Sequence, residues 1–263
     1  MKNTTLCPIC KCAKTGTFCS FSKEKQNYIK CTKCGMLYVS RIPSHKELKR
    51  SYNGGWLKSW RRNLLARFRR FDSYGDFESF MNKADRIATL IQKNTHKKDI
   101  KMLDIGCNKG FLLHMGLEKG WDVHGVELVS ELLIPFKNTH KEMKDKLFSQ
   151  EFDSVYENFE KGSFDVITAI DVVEHFEDPR NSIKKVYDIL KPGGIFVIQT
   201  PDSKCKIAIK NGTRWGALKP LEHLHLFNKD NFEKLANAIG FSEIKFFEAF
   251  EEADGNFVAV LKK

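Results

Sequence analysis

The sequence predicts an α/β chain, with a seven-stranded doubly wound sheet behind a small cysteine-bearing N-terminal module. Three observations carry this. From residue 101 onward, short apolar runs alternate with helical segments, the pattern of repeated βα units that build a parallel sheet covered on both faces. Six of the eight cysteines lie within the first 34 residues. Charge divides in the same sense: residues 1–100 hold 22 Lys/Arg against 7 Asp/Glu, and residues 101–263 hold 22 against 26.

Composition narrows the class further. Hydrophobic residues make up 41% of the 263 and charged residues 29%, ordinary values that exclude full-length disorder, a collagen and a coiled coil. No apolar run approaches the ~20 residues of a membrane-spanning helix. The opening stretch MKNTTLCPICKC has no apolar targeting core, so a cytoplasmic protein is expected. Motifs and charge divide the chain into residues 1–42, 43–98 and 99–263.

In the first region CPIC places Cys7 and Cys10, and CTKCG places Cys31 and Cys34, a C-x2-C-x20-C-x2-C spacing. Each C-x2-C knuckle brings two thiolates together while backbone amides face the sulfurs, and two knuckles complete a tetrahedral zinc site. Disulfides fit poorly in a cytosolic chain. Gly35 follows the second pair, where a knuckle needs left-handed backbone. Cys12 and Cys19 are surplus and read as free thiols, although Cys12, two residues after Cys10, can compete as a ligand. The run YIKCTKCGMLYVS, residues 28–40, reads as a strand entering the second knuckle and a strand leaving it. That is a zinc ribbon, a module that can bind nucleic acid, bind protein or buttress a neighbouring domain.

The second region is a basic connector. Leu57, Trp60, Leu64, Phe68 and Phe71 recur at intervals of three and four, which predicts an amphipathic helix. Lys46, Lys49, Arg50, Lys58, Arg61, Arg62, Arg67, Arg69 and Arg70 are interleaved. Such a helix packs its apolar stripe on the main domain, or caps a site and grips an anion with its arginines. A second helix is expected over residues 79–94.

In the third region strands are expected at 101–105, 121–126, 146–149, 164–170, 194–199, 241–248 and 256–261, with helices near 110–119, 129–137, 180–190 and 229–239. LDIGCNKGF, Leu103 to Phe111, runs from a strand through a glycine turn into a helix. Gly106 and Gly110 let backbone approach a ligand closely. Glu127 ends the next strand, where a carboxylate can accept both ribose hydroxyls of a nucleoside cofactor. Neither the phosphate-cradling G-x-x-x-x-G-K-[ST] loop nor the dinucleotide fingerprint G-x-G-x-x-G is present.

Residues 101–200 resemble the class I S-adenosylmethionine-dependent methyltransferases. The matching pieces are LDIGCNKGF, the acidic Glu127, FDVITAIDVVEHFEDP (164–179) and LKPGGIFVIQTP (190–201), in that family's order. PLEHLHLFN, from Pro220, and LANAIGF, ending at Phe241, resemble the branch that includes ubiquinone-biosynthesis O-methyltransferases. Several members of this branch carry a zinc-ribbon-like segment in front. The resemblance implies a Rossmann-like methyltransferase sheet and S-adenosylmethionine as cofactor. It implies that Asp104, Gly106, Asn108 and Gly110 surround the methionine part, that Glu127 binds the ribose and that Leu128 flanks the adenine. Ile170 and Asp171 would line the site from the fourth strand. Asn108 stands where the family usually has glycine, and asparagine tolerates left-handed backbone better than most residues. The family's acidic residue after the third strand has no firm match among Ser149, Gln150, Glu151 and Phe152.

In ubiquinone-type enzymes a stretch similar to DVVEH is associated with a divalent cation. Asp171, Glu174 and His175 suit one chemically, or they shape the pocket without metal. His175 is a candidate general base because its ordinary pKa lies near neutrality. His223 and His225, in EHLH, are two more candidates, with a structural role for His225 equally open. Arg214 and Trp215 are expected substrate contacts. No Asn-Pro-Pro-Tyr or Asp-Pro-Pro-Tyr follows the fourth strand, and Cys205 in TPDSKC lacks the Pro-Cys or Thr-Cys context of a pyrimidine-carbon nucleophile. The leading expectation is methyl transfer to a small or medium acceptor, most naturally an oxygen of an anionic sugar, lipid-linked or phenolic molecule. An RNA methyltransferase using ribbon and basic helix is the alternative, and a non-catalytic cofactor-binding scaffold a second.

Overall fold

A computed structural model of the protein describes residues 6–263 apart from 24, 45–46, 48–70, 74–76 and 250–254. The N-terminal module contributes β1 (Thr15–Phe21), β2 (Gln26–Cys31) and β3 (Leu37–Val39). α1 (Phe77–Thr95) leads into β4 (Lys101–Ile105), α2 (Phe111–Glu118), β5 (Asp122–Val126), α3 (Ile134–Thr139), β6 (Leu147–Phe148), α4 (Phe152–Val155) and β7 (Phe164–Ile170). Then come α5 (Pro179–Ile189), β8 (Leu190–Pro201), α6 (Lys206–Asn211), β9 (His225–Leu226), α7 (Lys229–Ile239), β10 (Glu243–Glu248) and β11 (Asn256–Lys262). The basic helix expected over 57–71 falls outside the described residues except at its end. There Phe71 sits buried in a short 3-10 turn against Phe77, Phe111 and Phe136.

Seven strands form one sheet in the order β10-β11-β8-β7-β4-β5-β6. β4 pairs parallel with β5 and β7, β5 with β6 and β7 with β8, while β11 runs antiparallel to both of its neighbours. Its strands read as apolar runs because both faces are covered. Alternate residues sort to opposite sides. Leu103, Ile167, Phe196, Ile198 and Ala259 join the core beneath α5 and α7, with Ile183, Val186, Phe232 and Leu235. Met102, Val166, Ile195, Val197 and Val258 join the opposite core, with Ile87, Ile91 and Leu113 of α1 and α2.

Local signals set the helix boundaries. The buried face of α1 is Ala84, Ile87, Ala88 and Ile91, one side of a 3.6-residue period. α5 begins where the Asp178 carboxylate accepts from the Asn181 N–H. α7 begins at a reciprocal capping box between Asn228 and Asn231, which satisfies end groups that a helix leaves unpaired.

A second sheet, β1-β2-β3-β9, was not legible in the sequence. β3 pairs antiparallel with β9, matching Leu37 to Leu226 and Tyr38 to His225. The ribbon therefore takes its fourth strand from a point almost 190 residues later in the chain. Cys7, Ile9, Met36 and Tyr38 share one apolar core with Val173 and Phe227, and the Arg180 guanidinium donates to the Ile9 carbonyl at 2.7 Å.

Phe227 lies fully buried where ribbon and sheet meet, edge-on to Phe232. We expect Phe227→Ala to cost about 3–5 kcal/mol, read as a lower urea midpoint, and a loss below ~1 kcal/mol would separate ribbon packing from core stability.

Candidate active site

The site is built at the carboxyl ends of β4, β5 and β7. After β4 the chain turns through Gly106, Asn108 and Gly110, all at left-handed φ of +73°, +49° and +82°. A side chain at Gly106 would overlap Val172, and a Cβ at Gly110 would lie 2.6 Å from the Phe136 ring. Only glycine fits those two points. The turn hands its backbone to Glu127 at the end of β5: the Asn108 N–H donates to one carboxylate oxygen and the Val129 N–H to the other, both at 2.9 Å. Burial pushes the Glu127 carboxyl up from its ordinary pKa, against the pull of these amides.

Asp104 sits beneath the turn, buried, with its carboxylate accepting from the Thr168 hydroxyl at 2.6 Å. Burial raises its pKa to about 7. Asp171, at the end of β7, is held at φ +58°, a strained conformation for a residue with a Cβ. Its carboxylate accepts from Gln199 and Asn256 at 3.1 Å and from the Lys83 ammonium at 3.3 Å. These residues open onto one cavity of about 1010 Å³, which also takes in Phe80, Leu128, Glu131, Gln150, Glu151, Asp153, Ile170, His175, Phe176, Glu177 and Glu222.

Beyond Asp171, three side chains gather. Glu174, His175 and His223 place ligand atoms within 4.8 Å of one another. Glu174 is almost fully enclosed and accepts from the Thr200 hydroxyl at 3.0 Å, and burial raises its pKa to about 7. His175 Nδ1 meets the Glu222 carbonyl at 2.8 Å, and His223 Nδ1 meets the Ala217 carbonyl at 2.8 Å. A carbonyl only accepts, so each Nδ1 carries a proton, and Nε2 of each neutral ring keeps its lone pair. Burial, helped by the neighbouring His175, lowers the His223 pKa to about 3.

A family model described as "Methyltransferase domain" matches residues 77–245. The chain belongs to this family. Among relatives, the ubiquinone biosynthesis O-methyltransferase of Idiomarina loihiensis is 28% identical over 182 residues, 62% of this chain and 74% of that protein. Its counterpart in Psychrobacter cryohalolentis is 33% identical across 38% of this chain and 40% of that protein. Two solved structures share the fold. An S-adenosylmethionine-dependent methyltransferase from Archaeoglobus fulgidus has a TM-score of 0.55 at 16% identity, covering 71% of this chain and 97% of that one. The 1,6-didemethyltoxoflavin-N1-methyltransferase of Burkholderia thailandensis has a TM-score of 0.58 at 15% identity, covering 93% and 98%. The protein is a class I S-adenosylmethionine-dependent methyltransferase.

The methyltransferase brings Asp104, Gly106, Asn108, Glu127, Leu128, Ile170, Asp171 and His175 to the one cavity. Gly110 caps α2 at the edge of the turn. His223 stands beside His175, with ring centroids 5.1 Å apart. His225 is placed differently from the expectation that it serves the chemistry: it lies inside β9, fully buried, opposite Tyr38. The cation group expected at Asp171, Glu174 and His175 is also altered. Asp171 is committed to Gln199, Asn256 and Lys83, and His223 completes the cluster instead. Trp215, an expected substrate contact, packs in the core with Tyr28 and Leu218. Lys83 escaped the sequence reading, because its only signal was a position on the inner face of α1.

The second cluster is Cys7, Cys10, Cys31 and Cys34, all four sulfurs within 4.8 Å of one another. Cys7 and Cys34 Sγ lie 3.5 Å apart, and Cys10 and Cys31 Sγ 3.6 Å, near the ~3.8 Å edge of a tetrahedron with 2.3 Å zinc–sulfur bonds. Backbone amides of Ile9 and Cys10 face Cys7, and those of Lys33 and Cys34 face Cys31. The two knuckles match in detail: Lys11 donates to the Cys7 carbonyl and Gly35 to that of Cys31, both from left-handed backbone. The set is compatible with zinc. Cys12 stays outside it, bonded to Lys14.

Gly110→Ala is expected to destabilise by about 1–3 kcal/mol in chemical denaturation. It should exceed Gly120→Ala, which has a similar φ of +75° but open space around it, and equal losses would remove the Phe136 contact as a cause.

Proposed function

We propose that the methyltransferase transfers a methyl group to an oxygen of a small or medium acceptor, and that His175, with His223 packed beside it, takes the acceptor proton. The observation that carries this is the pair of imidazoles with anchored Nδ1 protons beside a buried carboxyl, at the Asp171 end of the cavity. Such a group removes a hydroxyl proton as the oxygen attacks. The O-methyltransferases among the relatives support the choice of oxygen. The match covers three quarters of the Idiomarina relative but 40% of the Psychrobacter one, so the acceptor is argued from the site.

S-adenosylmethionine supplies an electrophilic methyl on sulfur. The residues present fit it: a close-approach glycine turn, a carboxylate at the end of β5 and a cavity of sufficient volume. Asp104 and the turn through Gly106, Asn108 and Gly110 would face its methionine part, Glu127 its ribose and Leu128 its adenine. Lys83, across from Asp171, would draw its carboxylate. Phe152, Val172 and Phe176 also line the cavity and would exclude water there. The donor set of Glu174, His175 and His223 also fits a divalent cation, which would orient an acceptor oxygen. Neither RNA nor an anionic acceptor is supported by the relatives or by the described residues. The arginines behind those two expectations lie within 46–70, almost wholly outside the described residues.

We also propose that Cys7, Cys10, Cys31 and Cys34 hold a structural zinc ion. Thiolates gathered for a metal suit the reducing cytoplasm in which we place the protein.

S-adenosylhomocysteine is expected to raise the melting temperature, and Glu127→Ala to weaken its binding about 10–100-fold by calorimetry, through the loss of charge-assisted hydrogen bonds. Label from methyl-labelled S-adenosylmethionine should enter a ribonuclease-resistant small-solute fraction of cell extract. Label confined to RNA would overturn the acceptor class. Elemental analysis should find one zinc per chain, lost together with stability in Cys7→Ser. Unchanged zinc content in that variant would refute the metal assignment.

A further inference from the structure

We propose that Tyr28, in the N-terminal module, is a positioning residue for the His175–His223 pair. This rests on the reading that His175, held beside His223, takes the acceptor proton.

Two successive carbonyls are held from opposite sides. The Glu222 carbonyl accepts from His175 Nδ1 at 2.8 Å, and the next carbonyl, of His223, accepts from the Tyr28 hydroxyl at 2.5 Å. The turn after β7 therefore holds one side of this dipeptide and the ribbon holds the other. The segment around it has little structure of its own. Between the 3-10 turn at Gly212–Arg214 and β9 it makes only local turns, with the Glu222 and His223 amides both donating to the Lys219 carbonyl. Support from outside comes from the ribbon, where the Val39 N–H donates to the Leu224 carbonyl at 3.1 Å and β3 pairs with β9.

Tyr28 is fully buried, and its ring packs with Leu37, Val39, Trp215, Leu218 and Leu224. Phenylalanine would fill that space equally well. What the hydroxyl adds is the bond to His223, with the Lys219 amide facing the same oxygen. Removing it leaves a carbonyl without its donor next to the residue whose ring must be aimed, and a misplacement of ~1 Å is enough to cost catalysis.

The test uses full-length protein labelled with ¹⁵N-histidine, with ring signals assigned through His175→Gln and His223→Gln. In the wild type, His175 and His223 should each show a single Nδ1-protonated tautomer with a slowly exchanging ring proton. In Tyr28→Phe the His223 ring should average between tautomers and its Nδ1 proton exchange about ten-fold faster, the size set by losing one hydrogen bond of ~1.4 kcal/mol. Affinity for S-adenosylhomocysteine should not change, since Tyr28 lies outside the cofactor's part of the cavity. Unchanged His223 signals in a folded Tyr28→Phe protein would overturn the proposal. So would tautomer averaging in the wild type, a measurement that decides the matter even if the variant does not fold. Label transfer into the small-solute fraction separates the two readings. If the tautomer changes and transfer does not, Tyr28 positions His223 but His223 takes no part in the chemistry.

Discussion

The turn after β4 admits no side chain at two of its points, and the catalytic half of the molecule is arranged around that exclusion. Val172 occupies the space that a Cβ at Gly106 would need, and Phe136 the space beside Gly110. The same turn brings the Asn108 amide within reach of Glu127 on the neighbouring strand. Three left-handed residues within five positions would be hard to hold in an isolated peptide. Here β4 on one side and α2 on the other over-determine the path. The strained Asp171 at the end of β7 is held by Gln199 of the adjoining β8 and by Asn256 of β11, one strand further.

A second constraint is the burial of ionisable groups around the cavity. Asp104 and Glu174 are buried carboxyl groups whose pKa values are raised to about 7, while His223 is pulled down to about 3. Burial moves acids and bases in opposite directions, and in both cases it favours the uncharged form. The segment that carries His223 is bonded from two sides, at the Glu222 carbonyl by His175 and at the His223 carbonyl by Tyr28 of the cysteine module.

The module packs as one body with the methyltransferase sheet and is not an appendage. A ribbon that only bound a partner would not need to share a strand with the segment carrying His223, nor to bury Met36 and Tyr38 against Phe227. Cross-strand pairing over so few residues is weak alone. It becomes firm here because apolar side chains from both partners close over it.

Much of this protein is written in local sequence. The order and type of the strands from Lys101, the helices around residues 79–94 and 229–239, the glycine turn with Asn108 taking a left-handed φ, Glu127 at a strand end and the paired cysteine knuckles are all legible there. Each depends on residues a few positions apart, through periodicity, capping or spacing. Four features are not legible. β9 is two residues long and gains its strand character only from β3. His223 replaces Asp171 in the carboxylate–imidazole cluster because a loop folds back across the cavity. His225, two residues further, goes into the core because β9 begins there and pairs it with the buried Tyr38 of β3, beyond the loop that carries His223. Lys83 meets Asp171 from a helix 88 residues away. The sequence by itself determined the fold class and, through motifs that resemble a known family, pointed to the methyl donor, because those signals are short-range. Only the tertiary structure decided which histidines gather at Glu174 and which tyrosine bonds the segment carrying His223, because each of those contacts closes a long loop that no local pattern encodes.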